Sequence, residues 1–259
     1  MQTVTSADGT TIAYDRTGSG PAVMLIGGAF GDRHEPTVAG LARALAPNFT
    51  VYNYDRRGRG DSGDTMPYSV QREIDDLNAL IEHAGGQASV FGGSSGGALA
   101  LEAAAGGAAI TNLAVFEPPY VTDATQPLPT EQELSELVQA GRRGEAVELF
   151  LTRGAEMSAE AVAQMKDQPF WPGIEALAHT LVYEAAVVGP GPVPAQRLAA
   201  VTIPTLVLVG VQSSARMQDA ARAVAEALPN SQQQELEGQA HGQLDPQLLG
   251  TELAAFFAT

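Results

Sequence analysis

Ser89-Val90-Phe91-Gly92-Gly93-Ser94-Ser95-Gly96-Gly97-Ala98-Leu99-Ala100-Leu101 is the stretch on which the fold turns. An apolar run, Ser89 to Phe91, enters a turn with glycine on both sides of a serine, and an Ala/Leu helix follows. A serine held in so sharp a strand-to-helix turn projects its hydroxyl above the sheet, and its neighbours must lack bulky side chains for strand and helix to approach. Two registers fit G-x-S-x-G, one centred on Ser94 and one on Ser95. The first places the turn directly after the strand and leaves Gly96, Gly97 and Ala98 to open the helix, which selects Ser94 as the nucleophile. The competing reading, a glycine-rich phosphate turn, lacks both G-x-G-x-x-G and a P-loop lysine.

Outward from this stretch the same alternation repeats. Continuous apolar runs at Ala22 to Ile26, Thr50 to Tyr54, Leu113 to Phe116 and Thr205 to Val209 suit strands covered on both faces. Helical patterns separate them at Thr37 to Ala46, Val70 to Ala84, Ala98 to Ala105 and Met217 to Leu228, and Leu248 to Phe257 closes the chain. Alternation of this kind predicts an α/β, doubly wound, mostly parallel sheet. Thr3 to Thr5 and Thr11 to Tyr14 flank Asp8-Gly9, which predicts an antiparallel entry hairpin with a two-residue turn. From Val121 to Gln196 helical segments follow one another (Glu131 to Ala140, Glu145 to Arg153, Ala159 to Met165, Ile174 to Val188) with no strand pattern between them. Residues 1–120 and 197–259 therefore read as the core and 121–196 as an inserted helical cap, bounded by Pro118-Pro119 and by the Pro/Gly-rich stretch Gly189 to Pro194.

Composition removes several function classes. With 259 residues and 44% hydrophobic content the chain can bury one large core. A formal charge of -16 repels phosphate backbones and anionic membrane surfaces, so no nucleic acid and no membrane partner is expected. No leader pattern or spanning segment is legible, which makes the cytoplasm the expected location. Absence of cysteine excludes disulfides and thiol catalysis. His34, His83, His179 and His241 show no metal-ligand spacing, and no metal is expected.

Together, Val90-Phe91-Gly92-Gly93-Ser94-Ser95-Gly96-Gly97 and Tyr54-Asp55-Arg56-Arg57-Gly58-Arg59-Gly60-Asp61-Ser62 resemble the nucleophile elbow and the D-x-R-G-x-G-x-S loop of the α/β-hydrolase superfamily. The Arg-Arg form is similar to that of bacterial cofactor-free perhydrolases and related serine esterases. Asp55 and Arg56 are read as scaffolding beside the site, because function must be argued from reacting groups. The resemblance implies an oxyanion hole made by the N–H of Ser95 and by an N–H from Gly27-Gly28-Ala29-Phe30, the second donor being Ala29. It places the base at His241, after a last strand at Gln233 to Leu236; an imidazole with an unperturbed pKa of about 6.5 can take and return the serine proton near neutrality.

The acid is displaced from the family's usual place. Where most members carry Asp after the strand Thr205 to Val209, this chain reads Gly210-Val211-Gln212-Ser213, and serine cannot charge-balance an imidazolium. Glu117, ending the preceding strand, is the predicted replacement, as in some haloalkane dehalogenases that it resembles; Asp219 and Asp123 are weaker substitutes, and Ser213 is expected to carry no role. The expectation is a serine hydrolase of the ester or lactone of a small hydrophobic molecule, with an acyl-enzyme on Ser94 and no cofactor. Phe30, Trp171 and Tyr183 are the predicted pocket residues, with Phe170, Met165 and Leu181 nearby in sequence. A cyclase, lyase or perhydrolase on the same site, or a ligand-binding protein with a decayed triad, remain alternatives, and both monomer and homodimer stay open.

Overall fold

The apolar runs assemble into one eight-stranded sheet in the computed structural model, which describes every residue except Ala124 and Gln126. Its strands are β1 (Gln2–Thr5), β2 (Thr11–Gly18), β3 (Ala22–Ile26), β4 (Thr50–Tyr54), β5 (Ala88–Gly93), β6 (Ile110–Phe116), β7 (Thr205–Gly210) and β8 (Ser231–Leu236). Their order across the sheet is β1-β2-β4-β3-β5-β6-β7-β8. β1 and β2 pair antiparallel, β2 joins β4 antiparallel, and every later pairing is parallel. After β3 the chain first moves to one side, to β4, and then crosses to the other, to β5. The loops that leave β3 and β5 thus diverge at a topological switch point, the position where open α/β sheets form a crevice.

Helices α1 (Pro36–Leu45), α2 (Val70–His83), α3 (Ser95–Ala105), α10 (Ala215–Ala227) and α11 (Pro246–Phe257) cover the two faces. Period-two alternation sorts the strand residues: Val23 and Leu25 pack with Leu41 and Leu253, while Met24 and Ile26 pack with Leu77 and Leu99. All eight side chains are buried, each worth about 1.5–3 kcal/mol of transfer free energy.

Three expectations are corrected. The entry hairpin has a three-residue loop, because Ser6 and Thr10 still pair (Ser6 N to Thr10 O, 2.8 Å) and Gly9 adopts φ +88° behind a turn closed by Gly9 N donating to Ser6 O. That is a type I turn followed by a left-handed residue, which a glycine permits. The segment Ile174 to Val188 divides into α7 (Trp171–Ala176) and α8 (Thr180–Val188), with the Thr180 hydroxyl donating to Leu177 O at the break. Finally, α9 (Ala195–Leu198) adds a single turn that is not among the expected helices, directly after the linker stretch Gly189 to Pro194.

Between β6 and β7 lie α4 (Glu131–Gln139), α5 (Arg143–Leu149), a π-helical turn at Phe150–Gly154, α6 (Ala159–Lys166), then α7, α8 and α9. Ala124 and Gln126, within the expected cap, fall outside the described residues. Leu134, Val147, Leu151, Val162, Trp171 and Leu181 form an apolar centre of their own among these helices. A reciprocal capping box, Thr130 with Glu133, starts α4.

At the join of β5 and α3 the backbone is crowded. A Cβ on Gly92 or Gly96 would fall under 3.0 Å from backbone carbonyl oxygens, of Gly96 in one case and of Ile26 and Gly27 in the other. Gly93 has room, its nearest neighbour being the Phe91 ring at 3.9 Å. The register centred on Ser94 is therefore the one whose flanking glycines sterics demand. Gly92→Ala should destabilise the protein by about 1–3 kcal/mol through overpacking, whereas Gly93→Ala should stay within about 0.5 kcal/mol of the parent in denaturant unfolding. Equal midpoints for the two variants would contradict this account of the turn.

Candidate active site

Ser94 sits at the tip between β5 and α3 with φ 53° and ψ −126°. Positive φ is costly for a side chain that bears a Cβ, on the order of 1–3 kcal/mol. Phe30 (φ 62°) and Glu117 (φ 48°) are held the same way just beyond β3 and β6. Three strained residues thus stand at the carboxyl ends of neighbouring strands, and two of them, Phe30 and Ser94, line one cavity.

That cavity has a volume of about 330 Å³ and is lined by Ala29, Phe30, Ser94, Ser95 and His241 together with apolar side chains of the helical insertion. Ser95 occupies the first position of α3, where its N–H has no partner within the helix. Ala29 lies in the loop leaving β3, and a side chain at its neighbour Gly28 would press on Ser94 Cβ at 3.2 Å. The absence of a side chain at Gly28 lets the loop leaving β3 lie close against Ser94.

His241 lies in the loop after β8, and its Nδ1 is 2.7 Å from Glu117 Oε2. Nδ1–H donating to the carboxylate leaves Nε2 as the acceptor nitrogen. Glu117 is fully buried, and its other oxygen accepts from Gly210 N at 2.8 Å and from the Ser213 hydroxyl at 2.5 Å. Ser213 Oγ in turn accepts from His241 N at 2.9 Å. Ser213, to which the sequence reading gives no role, therefore ties the carboxylate to the backbone of the histidine loop. Asp219 instead pairs with Arg222 on the surface, and Asp123 accepts from Thr125.

Beneath the loop leaving β3 runs a second buried charge network. Arg56 donates to Glu73 through Nε (2.7 Å) and Nη2 (2.8 Å), and its Nη1 reaches Glu184 of α8 at 3.1 Å. The same Nη1 faces Gly27 O and Ser95 Oγ, both at 3.4 Å. Arg59 donates to Gly28 O at 3.0 Å and also pairs with Glu184. Burial pushes the Glu73 carboxyl up, but Arg56 and Arg59 outweigh it and hold the group below its ordinary range. Asp55 is bonded to Arg33, to the Arg33 N–H and to Asp61 N. The Arg56 and Arg59 guanidiniums thus brace the Gly27 and Gly28 carbonyls just before Ala29, and Arg56 also faces the Ser95 hydroxyl.

Trp171 and Tyr183 do not line the cavity, which corrects the expected pocket. Trp171 fills the centre of the helical insertion, and Tyr183 faces away, stacked on Tyr68 with centroids 3.8 Å apart and donating to Asp64 at 2.9 Å. Aromatic residues at helical spacing serve here as packing. Phe30 does line it, edge-on to Phe150 at 5.5 Å. Phe150, Leu151, Glu35 and Glu184 also reach the cavity; the π-helical turn that carries the first two has no sequence signal of its own. Among the described residues no group of three or more His, Asp or Glu side chains is placed to hold a metal ion.

A model of the alpha/beta hydrolase family matches residues 18–255. The solved structure of an alpha/beta hydrolase from Sphaerobacter thermophilus DSM 20745 is 51% identical, covers 99% of this chain and 100% of its own, and superposes with a TM-score of 0.91. The fold is shared by a thermophilic esterase from Thermogutta terrifontis, at 21% identity, 99% and 97% coverage and a TM-score of 0.75. A hydrolase of Bacillus subtilis (strain 168), YraK, is 36% identical over 98 residues, 36% of this chain; the chain thus spans about a third (35%) of that curated relative. No helix is long and apolar enough to cross a membrane among the described residues.

Removing the Ser213 hydroxyl strips one donor from a buried carboxylate and one acceptor from the His241 N–H. Ser213→Ala should cost about 1–3 kcal/mol, read as a lowered thermal midpoint. An unchanged midpoint would mean that Glu117 is held without it.

Proposed function

We propose, from the premise that this chain belongs to the alpha/beta hydrolase family, that it is a serine hydrolase cleaving a carboxylic ester or lactone of a small hydrophobic molecule. The observation that carries this reading is the 2.7 Å hydrogen bond between His241 Nδ1 and a fully buried Glu117 carboxylate, with His241 and Ser94 lining one cavity. A carboxylate so bound fixes the tautomer and stabilises the imidazolium that forms when Nε2 accepts a proton.

In this scheme the Ser94 Oγ attacks the acyl carbon as its proton passes to His241 Nε2. The carbonyl oxygen becomes an oxyanion that the Ala29 and Ser95 N–H groups bind; each such donor is worth about 10²- to 10³-fold in rate. Collapse of the tetrahedral intermediate breaks the bond to the alkoxide, which leaves with the proton from His241. Water then attacks the acyl-serine with the same base, and Ser94 recovers its proton. A lactone follows the same steps with its alkoxide still tethered. Apolar walls from Phe30, Phe150, Leu151 and Met217 support a hydrophobic acyl or alcohol group, and the shared fold of an esterase agrees with ester chemistry.

Fluorophosphonate labelling and p-nitrophenyl ester turnover test this reading. Ser94→Ala should lose both, while Ser95→Ala should keep substantial activity because only its N–H is used. Glu117→Gln should lower kcat by roughly 10⁴-fold, as loss of the orienting carboxylate does in the serine-protease triad. A label on Ser95, or near-normal turnover in folded Glu117→Gln, would overturn it.

A further inference from the structure

The cavity has an unbalanced charge. Among the described residues its ionisable lining side chains are Glu35, Glu184 and His241, and neither lysine nor arginine lines it. Glu184 is balanced by Arg56 and Arg59, which sit behind the loop leaving β3. Glu35 has no such partner. Its Oε2 accepts from Val38 N and its Oε1 from the Thr37 hydroxyl, both at 3.0 Å, as the N-cap of α1. These bonds hold in place the carboxylate of a residue that lines the cavity, and they supply no formal positive charge to pair with it. Apolar neighbours make its charge felt more strongly than it would be in water, and the chain's formal charge of -16 adds in the same direction.

We propose that Glu35 sets the charge preference of the site: esters whose cavity-bound part is neutral or cationic are accepted, and those carrying a carboxylate there are rejected. The proposal rests on the hydrolase reading for its substrates but not for its physics. A substrate carboxylate would meet Glu35 with no free cation on the wall to receive it, since both guanidiniums that come near are engaged by Glu184, Glu73 and backbone carbonyls. A quaternary ammonium would meet a pre-positioned counter-charge whose side-chain entropy is already spent on the helix cap.

The test uses three phenyl esters of similar length: butyrate, hemisuccinate and 4-(trimethylammonio)butyrate. The readout is the cationic-to-anionic ratio of kcat/KM in the parent and in Glu35→Gln, whose amide oxygen can still cap α1. Taking a ratio cancels intrinsic ester reactivity and any common effect on the site. The ratio should fall at least tenfold in Glu35→Gln, and in the parent it should shrink as ionic strength rises. Because the chain's net charge alone also makes the ratio salt-dependent, a second variant isolates the residue: Glu35→Asp keeps the charge and should retain the parent ratio. Calorimetric binding of the same esters to Ser94→Ala separates the two readings. Charge-ordered binding without turnover in the parent would count against the hydrolase and for the selector. Turnover with a ratio indifferent to Glu35→Gln, whatever its salt dependence, or binding with no charge order, would overturn the selector and leave the hydrolase standing.

Discussion

A charged carboxylate with no access to water is the constraint around which the site is built. Glu117 is fully buried at the end of β6, and an ionised carboxylate there would cost several kcal/mol without partners. It has three: His241 Nδ1, Gly210 N and Ser213 Oγ. Each comes from a segment beyond β6, so one side chain draws together the end of β7, the turn that follows it and the loop after β8. The left-handed backbone at Glu117 aims the side chain along this path. Close approach of the β7 end to the histidine loop is also sterically enforced, since a Cβ at Gly210 would fall under 3.0 Å from Gln239 O.

The Arg56–Glu73–Glu184–Arg59 network does for the loop leaving β3 what Glu117 does for the histidine loop. Buried ion pairs add little net stability when compared with apolar packing, but breaking one leaves an uncompensated charge. That asymmetry favours a single arrangement of the loop leaving β3. Because Glu184 belongs to α8, the helical insertion is locked to the same loop that carries Ala29. The proposed donors, nucleophile and base are then positioned from both flanks of the switch point between β3 and β5.

Much of this was legible in the sequence where burial on both faces leaves an unbroken apolar run. Ala22 to Ile26 matches β3 residue for residue, because an interior parallel strand has no polar face to blur it, and Thr50 to Tyr54 matches β4, where the one amide, Asn53, is buried and donates to Arg33 O. The edge strand β8, Ser231–Leu236, begins Ser-Gln-Gln-Gln and was legible only from Gln233 on, since most of it faces solvent. At the site, Ser94 had a local signal in its glycine-framed turn, whereas His241, in a loop after a late strand, and Glu117, a carboxylate ending a strand, were legible through the family resemblance. Ser213 had neither, because its part is to bridge two segments distant in sequence. Trp171 misled for the opposite reason, as an apolar helix face reads the same whether it fills a cavity wall or the insertion's own centre.

The central claim is that Glu117 holds His241 by an Nδ1–H hydrogen bond. Proton NMR observes that bond directly, since an imidazole N–H donated to a buried carboxylate is deshielded and protected from exchange. The account predicts a far-downfield ring N–H resonance that persists in Ser94→Ala, disappears in His241→Ala and is lost in Glu117→Gln. A resonance that survives Glu117→Gln unshifted would show that another group orients the imidazole.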